Sequence, residues 1–499
     1  MFHRLTHGFR SFAGRLAGHR RLACLVVAMV LCPLSAAWAQ STPSVKQQPN
    51  VIFVLTDDLS TNLVQYMPNL QAMQEGGMSF NNYFVTNSLC CPSRSSIFTG
   101  LLPHNTKVMT NDSPTGGYDG FIDNGNQAKS FSVALQKAGY RTAMMGKFLN
   151  GYRPPKHPVP LGWTDWFVIG GGGYSGYNYL ASDNGKVVRR GQQVSDFATD
   201  VLSAQAQAFI RSTGSKPFFL EVATFSPHAP YTPAPRHDHL FPDLKAPHTP
   251  AYGWRADANA PKWQQDMPAL TPKDINQIDD AFRKRVQSVQ AIDEMLGRLR
   301  QTVTEMGKTD STFIIFSSDN GLHLGEYSMR AGKMTPFDID VRVPLVVTGP
   351  GVAKGVASDQ IVANIDLGPT FVDWTGTSMP SLPDGRSFAG LLGNAVQSWR
   401  TTISIEHLNQ LHSAEDPDAP VQYGGNPPTY TALRTAQALY VEYATGEVAY
   451  YDLKSDPFQL HNTINGLPGA QRTQLKDALL AHKRCRGAEC WRAQGFTDR

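Results

Sequence analysis

Two adjacent cysteines, Cys90 and Cys91, stand directly before Pro92-Ser93-Arg94, and Thr99-Gly100 closes the same stretch. Proline fits the first turn of a helix, where its missing N–H costs nothing, and glycine fits just beyond a helix end. The spacing therefore predicts a helix from Pro92 to Gly100, with Cys90 immediately before its N-terminus. Free backbone N–H groups there favour a negative charge, by roughly 0.3–1 kcal/mol at the surface and ~2 kcal/mol when partly buried. Such a place suits a bound anion or a deprotonated nucleophile; two cysteines alone would read as small buried hydrophobes. A second chemical feature is Asp57-Asp58, placed just beyond the apolar run Asn50–Thr56. A lone aspartate after a strand caps a turn. Two carboxylates at the end of a buried strand repel one another, and a cation is the simplest neutralising partner. A third is His228, which also follows a predicted core strand, whereas His237 and His239 lie further along a proline-rich loop.

The elements that must position these residues are legible as alternating strands and helices. Continuous β-branched and apolar runs at Asn50–Thr56, Arg141–Met145, Pro217–Thr224 and Ser311–Phe316 predict buried parallel strands. Amphipathic patterns predict helices over Ser130–Gly139, Ser195–Ser212 and Lys273–Met306. Alternation of this kind implies an α/β fold with a mostly parallel central sheet flanked by helices, and with ligands at the C-terminal ends of its strands. Residues 151–195, rich in Pro, Gly, Tyr and Trp, predict a structured surface loop whose aromatics stack on a sugar or pack the loop. Near the C-terminus, Thr429–Arg434, Ala438–Tyr443 and Val448–Leu453 predict three short strands, and Gln471–Lys483 a final helix. The domains expected are a catalytic domain over 40–392 and a smaller α+β domain over 393–499.

The stretch from Cys90 resembles the signature C-x-P-S-R…T-G of the type I sulfatases, with Cys91 in the free position. The resemblance continues in the family's order through Gly146-Lys147-Phe148-Leu149-Asn150, Ser226-Pro227-His228, Asp319-Asn320-Gly321 and Lys333, ten residues before Val343-Pro344, to beyond Asn462. The form Gly-Lys-Phe-Leu-Asn is similar to the branch containing the N-acetylglucosamine-6-sulfatases and heparan endosulfatases. What the resemblance implies is specific. The fold would be that of the alkaline phosphatase superfamily. Cys90 would be oxidised to formylglycine by a maturation enzyme, and its hydrate would attack the sulfur of a sulfate ester. Asp57, Asp58, Asp319, Asn320 and the modified Cys90 would hold a metal; oxygen donors select a hard cation, Ca²⁺ first and Mg²⁺ second. Lys147, Lys333 and Arg94 would match the charge of the sulfate, and His228 would protonate the leaving alcohol. Asn150 would replace a histidine that many members carry where Leu149 stands. His323 follows the Asp-Asn-Gly motif without an assigned role. The substrate implied is a sulfated small molecule or glycan. Two alternatives share parts of this pattern: a phosphonate monoester or phosphodiester hydrolase of the same superfamily, and a non-catalytic carbohydrate-binding protein.

Composition narrows the setting. Met1 to Ala39 combines an arginine-rich front, an apolar run from Leu22 to Leu34 and the small-x-small close Ala37-Trp38-Ala39, the pattern of an export signal peptide. Its short apolar run, interrupted by Pro33, is not that of a permanent membrane anchor. Removing its five arginines from the 45 basic side chains leaves 40 against 41 acidic ones. The basic balance thus belongs to the leader, and nothing points to nucleic acid as a partner. Of six cysteines, Cys485 and Cys490 form a close pair near the C-terminus. In an exported, periplasmic or secreted protein, such a pair reads as a local disulfide.

Overall fold

The computed structural model describes residues 48–393, 398–409 and 416–496. The expected signal peptide, 1–39, lies outside them. Fourteen strands are present among the described residues. Ten form one sheet: β1 Asn50–Thr56, β2 Met78–Phe84, β3 Arg141–Gly146, β4 Asp165–Ile169, β5 Leu180–Asp183, β6 Lys186–Arg189, β7 Phe218–Ala223, β8 Thr312–Ser318, β9 Leu345–Thr348 and β10 Val356–Ala363. Their order is β10-β2-β9-β8-β1-β7-β3-β4-β5-β6. The block β8-β1-β7-β3-β4 is parallel, and β9 and the β5-β6 edge run antiparallel. The sheet is thus mostly parallel, with antiparallel additions that the sequence reading did not resolve.

The central strands are apolar on both faces because both faces are covered. Every residue of β1, β7 and β8 is buried. On one face Ile52, Val54, Leu220 and Val222 pack with the helices Ala198–Ser212 and Pro272–Glu305. On the other, Val51, Phe53 and Leu55 pack with Ile97 and Phe98 of the cysteine-bearing helix and with Phe371. The 34-residue helix Pro272–Glu305 starts with reciprocal capping: Thr271 Oγ1 accepts from Asp274 N at 3.2 Å, and Asp274 Oδ2 accepts from Thr271 N at 2.8 Å. It presents Ile278, Phe282, Val289, Ile292, Leu296 and Leu299 to the sheet, the spacing of one helical face.

The remaining strands, β11 Thr402–His407, β12 Tyr430–Thr435, β13 Ala438–Tyr443 and β14 Val448–Asp452, form a four-stranded antiparallel sheet in chain order. Leu433 and Tyr440 pack on Leu479 of the last long helix, Gly469–Arg484. Ile403, Ile405, Val441 and Tyr451 instead join the same apolar cluster as Val51 and Phe53 of the large sheet. The disulfide expected between Cys485 and Cys490 is formed. Among the described residues no helix is long and apolar enough to cross a membrane.

Candidate active site

Adjacent parallel strands deliver their following residues to one edge of the sheet, which is why residues far apart in sequence meet here. β1 ends in Asp57 and Asp58, β8 in Asp319 and Asn320, β3 in Lys147, and β7 leads through a short turn to His228. β2, parallel to these by its pairing, leads through residues 85–89 to Cys90. The cysteine-bearing helix runs from Cys90 to Thr99 and ends on Gly100 in the left-handed conformation, φ 68°. Cys90 is therefore the first residue of the helix rather than the residue before it, and Pro92 is its third. All ten helix residues are buried. Close approach between β3 and β7 requires Gly146, whose φ is 100° and where an added Cβ would lie 1.8 Å from the Ala223 carbonyl oxygen.

The side chains converge on Cys90. Its Sγ lies 3.1 Å from Asp57 Oδ1 and 3.0 Å from Lys333 Nζ. Lys147 Nζ donates to Asp57 Oδ2 at 2.5 Å, and Lys333 Nζ to Asp58 Oδ1 at 2.7 Å. Asn320 Nδ2 donates to Asp58 Oδ1 at 2.5 Å. Arg94 binds Asp319 Oδ2 through Nε at 2.8 Å and the Lys147 carbonyl oxygen through Nη1 at 2.7 Å. Asn150 donates to the Tyr174 hydroxyl at 3.3 Å and to Asp418 Oδ2 at 3.4 Å. The predicted residues Cys90, Arg94, Lys147, His228, Lys333, Asp57, Asp58, Asp319 and Asn320 thus form one cluster, and all of them are buried.

His228 donates twice. Its Nδ1 faces the Ala229 carbonyl oxygen at 2.7 Å and its Nε2 faces Asp418 Oδ1 at 2.6 Å. Neither partner can donate, so both ring nitrogens carry protons and the ring is an imidazolium. Burial pulls this group down, but Asp58, Asp418 and Asp57 outweigh it and lift it to about 9. Burial pushes the Cys90 thiol well above its ordinary value, with Asp418 and Asp57 adding to the shift. The unmodified sulfur is accordingly a protonated, poor nucleophile.

A metal fits this donor set on two observations. Ligand atoms of Asp57, Asp58, Cys90 and His228 lie within 4.8 Å of one another. Asn320 Oδ1 is buried with no hydrogen-bond partner, an orphaned acceptor at the same place. Asp57, Asp58, Asp319 and Asn320 offer only oxygen, the preference of a hard cation. His228 is in the geometric group as well, with Nε2 facing Asp418 and Nδ1 the Ala229 carbonyl oxygen.

Several residues of the site escaped the sequence reading. Asp418, between β11 and β12, contacts His228, Lys333 and Asn111. Asn111 also anchors the helix start, accepting from Cys91 N at 3.0 Å. Tyr174 lies under Lys147, 4.9 Å from Nζ to the ring centre, and 4.5 Å from the His228 ring. Arg285, wholly buried, donates to the Asp58 carbonyl oxygen and fixes the turn after β1, where Asp58 has a φ of 65°. Such a left-handed residue is costly away from functional sites. Its signal was present: Arg285 occupies the apolar face of its helix, in step with Phe282 and Val289. His323 does not enter the cluster. Its ring joins Asp340, at 2.9 Å, to the Gly424 carbonyl oxygen, at 3.1 Å.

Comparison with known proteins follows these geometries. A family model described as "Sulfatase" matches residues 49–377, and one described as "N-sulphoglucosamine sulphohydrolase, C-terminal" matches 325–484. An N-acetylglucosamine-6-sulfatase of Homo sapiens is 32% identical over 483 residues, 91% of this chain and 87% of the human protein. An extracellular sulfatase SULF-1 homolog of Drosophila melanogaster is 33% identical over 383 residues, covering 74% of this chain and 34% of that protein. Among solved structures, BT4656 in complex with its substrate D-glucosamine-2-N,6-O-disulfate aligns with a TM-score of 0.73 at 23% identity, covering 87% of this chain and 97% of that one. A phosphonate monoester hydrolase of Agrobacterium radiobacter aligns with a TM-score of 0.66 at 21% identity, covering 87% of this chain and 95% of that one. At these identities the two structures establish the shared fold alone.

Proposed function

Because the chain belongs to the sulfatase family, we propose that it hydrolyses the sulfate ester of a 6-O-sulfated glucosamine unit at the cluster around Cys90. Sulfate ester hydrolysis is the family's reaction; the sugar and the residue roles are our reading. The observation that carries it is the convergence on Cys90 Sγ of a carboxylate at 3.1 Å and an ammonium at 3.0 Å, in a chain similar along most of its length to N-acetylglucosamine-6-sulfatases.

Each residue type has a task in this reading. Cys90 is the residue converted to formylglycine; Cys91 stays a thiol, its pKa pushed up to about 12 by burial. The hydrated aldehyde supplies one hydroxyl to attack sulfur and a second whose deprotonation later expels the sulfate, which a serine could not do. Asp57, Asp58, Asp319, Asn320 and the modified Cys90 would hold the metal, Ca²⁺ in preference to Mg²⁺. When bound, such a cation supplies Lewis acidity toward the oxygens held against it. Arg94, Lys147 and Lys333 neutralise the sulfate and the charge that develops as the S–O bond breaks. Lys147 and Lys333 remain protonated despite burial, which disfavours their charge, because Asp57 holds the first and Asp418 and Asp58 the second. His228 carries its acidic proton on Nε2, the nitrogen turned toward the cluster, and gives it to the departing alcohol oxygen. Asn150 and Tyr174 border the ester.

The protein is exported in this reading, to a periplasm or the exterior; the Cys485–Cys490 disulfide supports an oxidising compartment. The test is an assay of the mature enzyme with glucosamine 6-sulfate, N-acetylglucosamine 6-sulfate, other positional sugar sulfates, an aryl sulfate, a phosphodiester and a phosphonate monoester. Preference for the 6-sulfates supports the proposal. Faster turnover of the phosphonate or phosphodiester, or of a different sulfated position, overturns it.

A further inference from the structure

We propose that Asp418 is a displaceable stand-in for the substrate's sulfate, an inference that rests on the sulfatase reading of this site. The Asp418 carboxylate takes up Lys333, one of the cations assigned to the sulfate, and His228, the group assigned to the leaving oxygen. Its Oδ1 receives Lys333 Nζ at 2.7 Å and His228 Nε2 at 2.6 Å. Its Oδ2 receives Asn111 Nδ2 at 2.6 Å and Asn150 Nδ2 at 3.4 Å, and lies 3.4 Å from Cys90 Sγ. The last contact is a thiol–carboxylate hydrogen bond, which sets that oxygen directly beside the residue read as the nucleophile. The carboxylate therefore occupies the seat where an ester oxygen and the reacting sulfur must come to rest.

Position makes the occupancy exclusive. Arg94, Lys147, Lys333 and His228 face the strand-end carboxylates Asp57, Asp58 and Asp319, and Asp418 brings a further carboxylate from the segment between β11 and β12. A sulfate monoester brings one negative charge and several acceptor oxygens, matching what Asp418 brings. Both cannot occupy that seat: Asp418 Oδ2 fills the position 3.4 Å from Cys90 Sγ, and Oδ1 the position 2.6 Å from His228 Nε2. Asp418 must leave when a sulfate ester enters.

The segment is built to permit this. Asp418 points inward, its side chain 1% exposed, while its neighbours Pro417 and Ala419 are exposed. The segment meets the site through two buried carboxylates, Asp418 and Asp416, the latter accepting from Asn111 Nδ2 at 3.3 Å. Downstream it is held at Gly424, whose carbonyl oxygen accepts from His323, and by Arg330 N bonding to the Tyr423 carbonyl oxygen at 2.9 Å. Moving residues 417–420 aside leaves both ties intact.

The consequence is that Asp418 weakens ground-state binding of sulfate groups, substrate and product alike. In the mature, metal-loaded enzyme, Asp418→Asn should tighten competitive inhibition by inorganic sulfate about tenfold or more and lower KM. The asparagine keeps the volume and a hydrogen-bonding oxygen while removing the charge. Asp418→Ala, which also empties the seat, should tighten sulfate binding too, so the idea does not hang on one variant. Calorimetric titration with sodium sulfate reads the same change without turnover. A merely structural role for Asp418 would weaken sulfate and raise KM in both variants. An Asp418 that contacts the substrate's sugar would raise KM while leaving sulfate inhibition unchanged. Either result overturns the proposal. If the parent enzyme turns over no sulfate ester at all, it is the reading of the site that fails, and that outcome is distinguishable from unchanged sulfate inhibition in an active enzyme.

Discussion

Replacing His228 by alanine should separate substrates by their leaving groups. The ring holds its Nε2 proton toward the cluster, fixed on the other side by the Ala229 carbonyl oxygen at 2.7 Å. Removing it deletes the acid but leaves Cys90, the carboxylates and both lysines, which are carried by other elements. A positioned general acid contributes typically ~10²–10⁴-fold, equivalent to about 2.7–5.5 kcal/mol of barrier at 1.36 kcal/mol per decade. The full loss applies where the leaving group is a sugar alcohol, which cannot depart as an alkoxide. It shrinks to less than about tenfold for an activated aryl sulfate, whose phenolate needs no proton. Steady-state kcat/KM for glucosamine 6-sulfate and for 4-nitrophenyl sulfate, each with parent and His228→Ala, gives the comparison. Equal losses on both substrates would refute the assignment, since a residue that only binds sulfate or holds the fold does not sense the leaving group.

Peptide mass spectrometry of active protein should find formylglycine at Cys90 and an unmodified thiol at Cys91. Cys90→Ala should abolish turnover and Cys91→Ala should cost about 1 kcal/mol of stability with activity retained; a dead but folded, aldehyde-bearing Cys91→Ala contradicts this. His104, whose Nδ1 meets Glu406 at 2.7 Å, keeps its proton to about 9, because Glu406 and the Cys485 carbonyl oxygen outweigh the opposing effect of burial. A folded value above the unfolded one contributes stability that is fully present below about 6.5 and lost as pH rises through about 9, roughly 1–3 kcal/mol here. Urea unfolding of His104→Gln should therefore show a larger deficit at pH 6 than at pH 10, and an equal deficit at both contradicts it. Opening the Cys485–Cys490 disulfide should lower stability by about 2 kcal/mol, the entropy of so short a loop, read as a lower denaturation midpoint under reductant; an unmoved midpoint contradicts it.

How much of this was legible in the sequence follows from where each residue sits relative to a strand. The runs Val51–Leu55 and Phe313–Phe316 are buried on both faces and carry an unmistakable apolar pattern. Residues one or two places beyond such runs, Asp57, Asp58, Asp319 and Asn320, inherit a position at the sheet edge from the strand itself. Lys147 and His228 are placed by the same logic. Lys333 is not: it follows no strand, and only the family spacing marked it. Asp418 was invisible, since it acts from an irregular segment 190 positions from its partner His228, and Asp416-Pro417-Asp418 has no periodicity that aims one carboxylate inward. Arg285 was visible in principle, as a charge on the apolar face of a helix, which demands a buried partner. The antiparallel edge strands β5 and β6 were missed because they are four residues each and partly exposed, too short for an alternating pattern to stand out.

Arg94 shows why these residues must be ordered together. From the helix that follows β2 it reaches Asp319 after β8 and the backbone of Lys147 after β3, with no exposure to solvent. Lys147 in turn holds Asp57 after β1. One guanidinium and one ammonium therefore tie three strand ends to the helix that carries Cys90. Buried ions of this kind add little to stability on balance, since desolvation offsets most of their attraction, yet removing one partner costs about 3–5 kcal/mol because the other is left uncompensated. The cluster thus penalises any packing in which a single member is out of place. That penalty is what a nucleophile on a helix N-terminus needs, because apolar contacts of the same helix, such as Phe98 with Phe148 and Phe131, fix distance but not direction. The polar network supplies the direction.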